Sequence, residues 1–258
     1  MSVENGYAYV SVAAPPAATI YCTLYDLPQP LHDNRAAASG SGYQRCIVMN
    51  MKQDSGLDLK YWGPTTRMVT VWKEEGEDQV QYFVEFRPSG SHALFLADQY
   101  PYRDMRIELK QVNHRCHALI MEAYDKAEGE ASFFQQLDTI FLSMMNKQDD
   151  AMAALMQGLS AKTRIADVMD SFGYSRRHLQ RLVQQRLGCS MKTIQKIQRI
   201  NQAVSLLKEQ KLTLTAIAQQ CGFYDQAHFI HDFREICNVT PQQYQKQLQD
   251  YYNESFKF

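Results

Sequence analysis

A chain of 258 residues is long enough to build two domains with separate cores. Its 45% apolar and 21% charged residues are those of a globular protein, which excludes a disordered or fibrous chain. The net charge of −1 divides unevenly: residues 1–159 carry 13 basic and 20 acidic side chains, residues 160–258 carry 14 and 8. An acidic half is repelled by a polyanion and a basic half gains by releasing counterions from phosphates, so the C-terminal half is the candidate for nucleic acid.

In chain order, the first forty residues ("APPAA", "DLPQP", "AAASGSG") have turn and linker chemistry around one short strand, "TIYCTLY". No apolar run reaches membrane-span length and "MSVENGYAYV" lacks the form of a signal peptide, so a cytoplasmic protein with no membrane partner is expected. Residues 43–112 hold short runs rich in β-branched and aromatic residues, "RCIVMNM", "RMVTVW", "VQYFVEF" and "RIELKQV", cut by "DSG", "WGP", "EEGED" and "RPSGS", which predicts a mainly β domain. Trp62, Trp72, Tyr82, Phe83 and Phe86 read as its core or as the lining of an apolar pocket. Helical spacing starts near residue 131 with Phe133, Phe134, Leu137, Ile140, Phe141, Met144 and Met145, and a second amphipathic segment follows at 149–158. The expected division is therefore 1–128 as a β sensor-like domain, 129–157 as bridging helices, and 158–258 as an all-α domain. The fold class is α+β.

The tail superposes on itself. At an offset of 50, Ser175 matches Asp225, His178 matches His228, Leu179 matches Phe229, Val183 matches Phe233 and Gly188 matches Asn238; upstream the offset is 49, aligning Gly173 with Gly222. Ser175 and Asp225 are good N-caps and the preceding glycines permit a tight bend, so a helix-turn-helix is written twice. In the first copy Leu179, Leu182, Val183 and Leu187 form the buried stripe, while Arg176, Arg177, Gln180, Arg181 and Gln184 face outward with groups that reach phosphates or base edges. In the second, Phe229, Phe233 and Cys237 are inward, and Gln226, Ala227, Ile230, His231 and Arg234 outward; Ile230 suits a thymine methyl. Tyr174, Phe223, Phe229 and Phe233 are expected in the core, and His178 and His228 in packing or capping. Residues 191–208 lack Pro and Gly and keep Ile194, Ile197, Ile200, Ala203, Val204 and Leu207 in helical register. Such a linker helix spans roughly 27 Å, near the separation of successive major-groove turns. Lys192, at its start, is a candidate phosphate contact.

"GYSRRHLQRLVQQRLGCS", "RINQAVSLL" and "TAIAQQCGFYDQAHFIHDFREICNVTPQQY" together resemble the DNA-binding domain of the AraC/XylS family of bacterial transcription regulators over residues 158–247. The resemblance implies double-stranded operator DNA as partner, with base-edge contacts at Arg177, Gln180, Arg181, Gln226, Ala227 and His231. It also implies activation through RNA polymerase and an N-terminal domain that binds a small-molecule effector or forms a homodimer. The helix around Phe133–Met145 then serves as a dimer surface or packs on its own sensor domain. Met191 departs from the family pattern, which has proline there as at Thr240–Pro241. Residues 160–208 carry a net +8 against −2 for residues 209–258, so the first motif is expected to supply most of the salt-dependent affinity.

Two rival readings remain. "NHRCH" offers His114, Cys116 and His117 for a metal or redox sensor, with His114 and Cys116 on one side if the segment is extended. A reactive cysteine in the N-terminal half would suit a repair-linked regulator, although Cys22, Cys46 and Cys116 lie in no nucleophile signature. With no CxxC pair, the six cysteines read mainly as small buried apolar side chains. No cofactor and no enzymatic activity are expected.

Overall fold

The computed structural model describes residues 2–4, 7–9, 18–24, 37–39, 46–52, 56–71, 80–86, 90–144 and 172–246, with residues 152, 155, 166, 167 and 170 singly. The N-terminal half is built on a five-stranded antiparallel sheet. Its strands are β3 (Ala18–Leu24), β5 (Cys46–Lys52), β6 (Gly56–Trp62), β8 (Val80–Phe86) and β9 (Arg106–Glu108), in the order β3-β8-β5-β6-β9. Two further pairs are short: β1 (Ser2–Glu4) with β2 (Tyr7–Tyr9), and β4 (Ala37–Ser39) with β7 (Val69–Val71). The first forty residues thus hold four strands where the sequence predicts one, because three-residue backbone pairings leave no hydropathy pattern to read.

β6 is also absent from the sequence-based expectation. Leu57, Leu59 and Tyr61 are buried while the residues between them are not, a period of two diluted by Asp58 and Lys60. Those two side chains form ion pairs at the sheet surface: Lys60 contacts both Asp58 and Glu108. One face of the sheet is covered by α1 (Gly90–Phe95), α2 (Leu109–Val112), α3 (His114–Lys126) and α4 (Glu130–Met144). The aromatics Tyr61, Tyr82 and Phe86 are buried in this core with Phe95, Phe134 and Phe141, in edge-to-face contacts. Trp62 instead lies half-buried under the Arg106 guanidinium, 4.0 Å from the ring centroid. Trp72 and the Phe83 side chain lie outside the described residues. The apolar face of α4, Phe133, Phe134, Leu137 and Phe141, is packed into this same core.

The helix α3 corrects the expectation of an extended "NHRCH". Asn113 caps it, its Oδ1 accepting from the Cys116 N–H at 2.8 Å. Helical spacing turns Cys116 into the core at 0% exposure and leaves His114 exposed, so the two do not share a side. Burial pushes the Cys116 thiol up to about 12.

A second core belongs to the C-terminal helices: α5 (Arg176–Leu187), α6 (Met191–Glu209), α7 (Leu214–Gln220), α8 (Gln226–Cys237) and α9 (Pro241–Lys246). Met152 and Leu155, from the expected 149–158 segment, are buried in it; the rest of that segment, and residues 159–171 apart from 166, 167 and 170, lie outside the described residues.

Candidate nucleic-acid interface

Each recognition-helix candidate is fixed locally in the way the duplication predicts. Ser175 Oγ accepts from the His178 N–H at 3.3 Å, and Asp225 Oδ1 accepts from the His228 N–H at 2.7 Å. The preceding turn glycines Gly173 and Gly222 both have positive φ, 64° and 78°. At the far ends Gly188 and Asn238 occupy the left-handed region at 71° and 60°, closing α5 and α8 alike. Between them α6 runs 19 residues, about 28 Å, and buries all six of the expected apolar positions. Met191 begins α6 as Pro241 begins α9, both buried behind a Ser or Thr N-cap whose oxygen accepts a backbone N–H. The loss of proline at Met191 therefore leaves that turn intact.

The outward residues are where helical spacing puts them. On α5, Arg176, Arg177, Gln180, Arg181 and Gln184 are exposed, as is Lys192 on α6. Arg181 lies 3.3 Å from His178 Nδ1, and Arg176 lies 3.9 Å from Asp170. Leu179, Val183 and Leu187 are fully buried, with Leu182 packed partly exposed beside them. On α8, Ala227, His231 and Arg234 are exposed and Gln226 and Ile230 half-buried. Ala227, Ile230, His231 and Arg234 line an open, largely apolar groove together with Glu235. Gln226 Oε1 accepts from Thr215 Oγ1 at 2.7 Å, which ties the start of α8 to α7.

Phe223, Phe229 and Phe233 are core residues as expected, but Tyr174 is not: it is 45% exposed and its ring leans on His178, centroids 5.1 Å apart. Its counterpart Tyr224 is 92% exposed. Each tyrosine directly precedes an N-cap, outside the helix whose inward face forms the core.

Sequence reasoning also missed Asp232. Its side chain is only 5% exposed, although aspartate is rarely buried unless paired. The pairing comes from the linker helix: Lys196 Nζ is 3.2 Å away and Arg199 3.7 Å, while His228 Nε2, one turn back on α8, is 3.2 Å away. Lys196 also donates to Glu235 at 2.9 Å. Burial is the largest single influence on the Lys196 ammonium and lowers it, yet Glu235 and Asp232 together raise it above its ordinary value. Arg199 stacks over Phe223 at 5.3 Å. This cluster locks α8 to α6. His231, Asp232 and Glu235 bring possible metal-ligand atoms within 4.8 Å of one another, but Asp232 and Glu235 are already committed to these cations. The signal available in sequence was weak: Asp232 falls between Phe229 and Phe233 on the inward stripe, where a charge is normally read as a break in the pattern.

Five of the six cysteines, Cys46, Cys116, Cys189, Cys221 and Cys237, are buried thiols, as expected; the Cys22 side chain lies outside the described residues. Burial pushes Cys237, like Cys116, up to about 12, so neither is a thiolate nucleophile at neutral pH. Among the described residues no helix is long and apolar enough to cross a membrane.

A helix-turn-helix domain family matches residues 168–247, which include the whole of both α5 and α8. The probable transcription factor PqrA of Proteus vulgaris is 30% identical over 83 residues, 32% of this chain and 68% of that protein. An uncharacterized HTH-type transcriptional regulator of Haemophilus influenzae is 27% identical over 110 residues, 42% of this chain; the match spans only 37% of that relative's length. Among solved structures, ToxT of Vibrio cholerae aligns over 89% of this chain and 97% of its own at 16% identity, with a TM-score of 0.41. The duplicated helix-turn-helix, its capping, and the extent of the match to PqrA together mean that the chain belongs to the AraC family of helix-turn-helix transcription regulators.

Proposed function

We propose that the chain holds operator DNA with α5 and α8 as two recognition helices, reading two successive major-groove turns from one subunit. The observation that carries this reading is the pair of helices, each N-capped by a side-chain oxygen and closed by a left-handed residue, on either side of a linker helix about 28 Å long, close to the roughly 34 Å of one DNA turn once the recognition helices add their own width. Arg177, Gln180 and Arg181 on α5, with Gln226, Ala227 and His231 on α8, are the base-reading residues. Arg176, Gln184, Lys192 and Arg234 hold phosphates, and Ile230 packs on a thymine methyl. Because residues 160–208 carry a net +8, the first motif supplies most of the counterion-release affinity and the second supplies register.

The protein works in the cytosol as an activator that contacts RNA polymerase. Its N-terminal domain, within residues 1–128, controls occupancy through a small-molecule effector or through homodimer formation aided by residues 129–157. Selection of duplexes from a random pool by the full chain tests the reading. The expected product is a bipartite site whose two conserved blocks lie about 10 base pairs apart, with affinity that falls steeply as salt rises. Recovery of a single short block, or of no preferred sequence, would refute a two-helix reader.

A further inference from the structure

The last turns of both recognition helices end against one strip of the N-terminal half. The Gln99 N–H donates to the Gln185 carbonyl of α5 at 2.7 Å, and the Met68 N–H donates to the Ile236 carbonyl of α8 at 2.7 Å. Both carbonyls belong to the final four of their helices, the groups an isolated helix leaves without an internal partner. They are nearly equivalent in the duplication, since the offset of 50 carries Gln185 to Glu235, one residue before Ile236.

The two C-caps are gripped as well. A Cβ on Gly188 would lie 2.4 Å from Pro64 Cγ, so Pro64 sits directly on that cap, and the Asn238 side chain donates to the Met68 carbonyl at 3.4 Å. Met68 itself, 6% exposed, is inserted into the C-terminal core.

Residues 63–68 and 97–104 are in turn tied to each other and to the sheet. The Asp104 carboxylate accepts from the Thr66 N–H at 2.6 Å and from Thr66 Oγ1 at 2.7 Å. The Asp104 N–H donates to the Pro64 carbonyl at 2.9 Å. The Gln99 side chain, fully buried, accepts from Tyr61 Oη on β6 at 2.5 Å and from Ser91 Oγ on α1 at 3.0 Å.

We propose that this strip sets the distance and angle between α5 and α8, making Met68, Gln99 and the brace Asp104 positioning residues for DNA recognition. One rigid edge attached to the ends of both helices restrains α5 relative to α8, which the Asp232 cluster already holds to α6. The N-terminal domain thereby determines which spacing between half-sites the chain accepts: a change at β6 or α1 reaches α5 through Tyr61, Ser91 and Gln99, and the Asp104–Thr66 brace carries it on to Met68 and α8. The inference rests on the two-helix reading above.

The test uses the full chain and its Asp104→Gly variant. Asp104 has φ 57°, a conformation glycine adopts freely, so this change removes the carboxylate without adding backbone strain. Binding is measured to the duplex selected by the wild type and to derivatives with two base pairs inserted between the half-sites, which turn one half-site by about 70° relative to the other. Exchange of the Met68 amide hydrogen is followed in parallel. The wild type is expected to lose at least about tenfold on insertion and to protect the Met68 amide. Asp104→Gly is expected to exchange that amide at least about tenfold faster and to lose less than about threefold on insertion. Thr66→Val, which deletes one of the two bonds, should fall between them. Faster exchange with an unchanged spacing profile would overturn the proposal, as would unchanged exchange at Met68 or a wild type indifferent to spacing. A wild type that selects no duplex at all would refute the DNA-reading function itself, a result distinguishable from these.

Discussion

Replacing Asp232 by asparagine keeps the volume of the side chain and removes its charge, leaving Lys196 and Arg199 facing a neutral amide. At an effective dielectric of about 20, a unit charge pair 3.5 Å apart is worth roughly 5 kcal/mol before desolvation. Several kcal/mol of desolvation per ion offsets most of that. The remainder is reduced again because Lys196 and Arg199 side chains retain 25% and 20% exposure, Lys196 keeps Glu235 at 2.9 Å, and Arg199 keeps the Phe223 ring. The expected net loss is about 2 kcal/mol of unfolding free energy, less than the 3–5 kcal/mol typical of breaking a fully buried pair. Urea unfolding of the wild type, Asp232→Asn, Lys196→Met and the double variant measures it. The cycle should give a coupling energy of at least about 1 kcal/mol, because the double variant no longer leaves the Lys196 ammonium facing a neutral amide, with Arg199 and His228 still beside it. A loss below about 0.5 kcal/mol for Asp232→Asn, or additive single changes, would mean that the cluster does not hold α8 to α6.

Other outcomes follow from the same structure. Arg181→Ala should cost about 1–3 kcal/mol on the preferred duplex and relax preference at one position, whereas Lys192→Ala should weaken all duplexes equally and flatten the salt slope; competition binding at two salt concentrations separates them. Gly188→Asn should destabilise by about 1–3 kcal/mol although asparagine tolerates the left-handed region, since its Cβ meets Pro64; Asn238→Gly, the reciprocal change, should stay within about 0.5 kcal/mol in thermal unfolding. Cys116 and Cys237 should resist a thiol reagent at pH 8 in the native protein and react in denaturant, as mass spectrometry reports. Both thiols titrate higher in the folded than in the unfolded chain, so the stability they contribute is complete below about pH 9 and is lost as pH rises toward 12. An alkaline denaturation series follows that loss.

The parts of this protein that the sequence determined are those governed by local rules. Capping oxygens at Ser175 and Asp225, the register of Ile194 to Leu207, and the repeat at an offset of 50 act within a few residues of chain, so they are readable without coordinates. The strands β5 and β8, rich in β-branched and aromatic residues, were legible for the same reason, whereas β6, with Asp58 and Lys60 in its path, was not. Exposure of Tyr174 and burial of Asp232 depended on tertiary packing. A tyrosine is apolar enough to be read as core, and an aspartate is charged enough to be read as surface, until the neighbours are known. Only the folded chain supplies Lys196 and Arg199 to Asp232 from another helix, and only it brings Met68 and Gln99 to the ends of α8 and α5 from residues more than eighty positions away. Contacts of that range leave no periodic trace, because the backbone groups that make them are the same in every amino acid but proline.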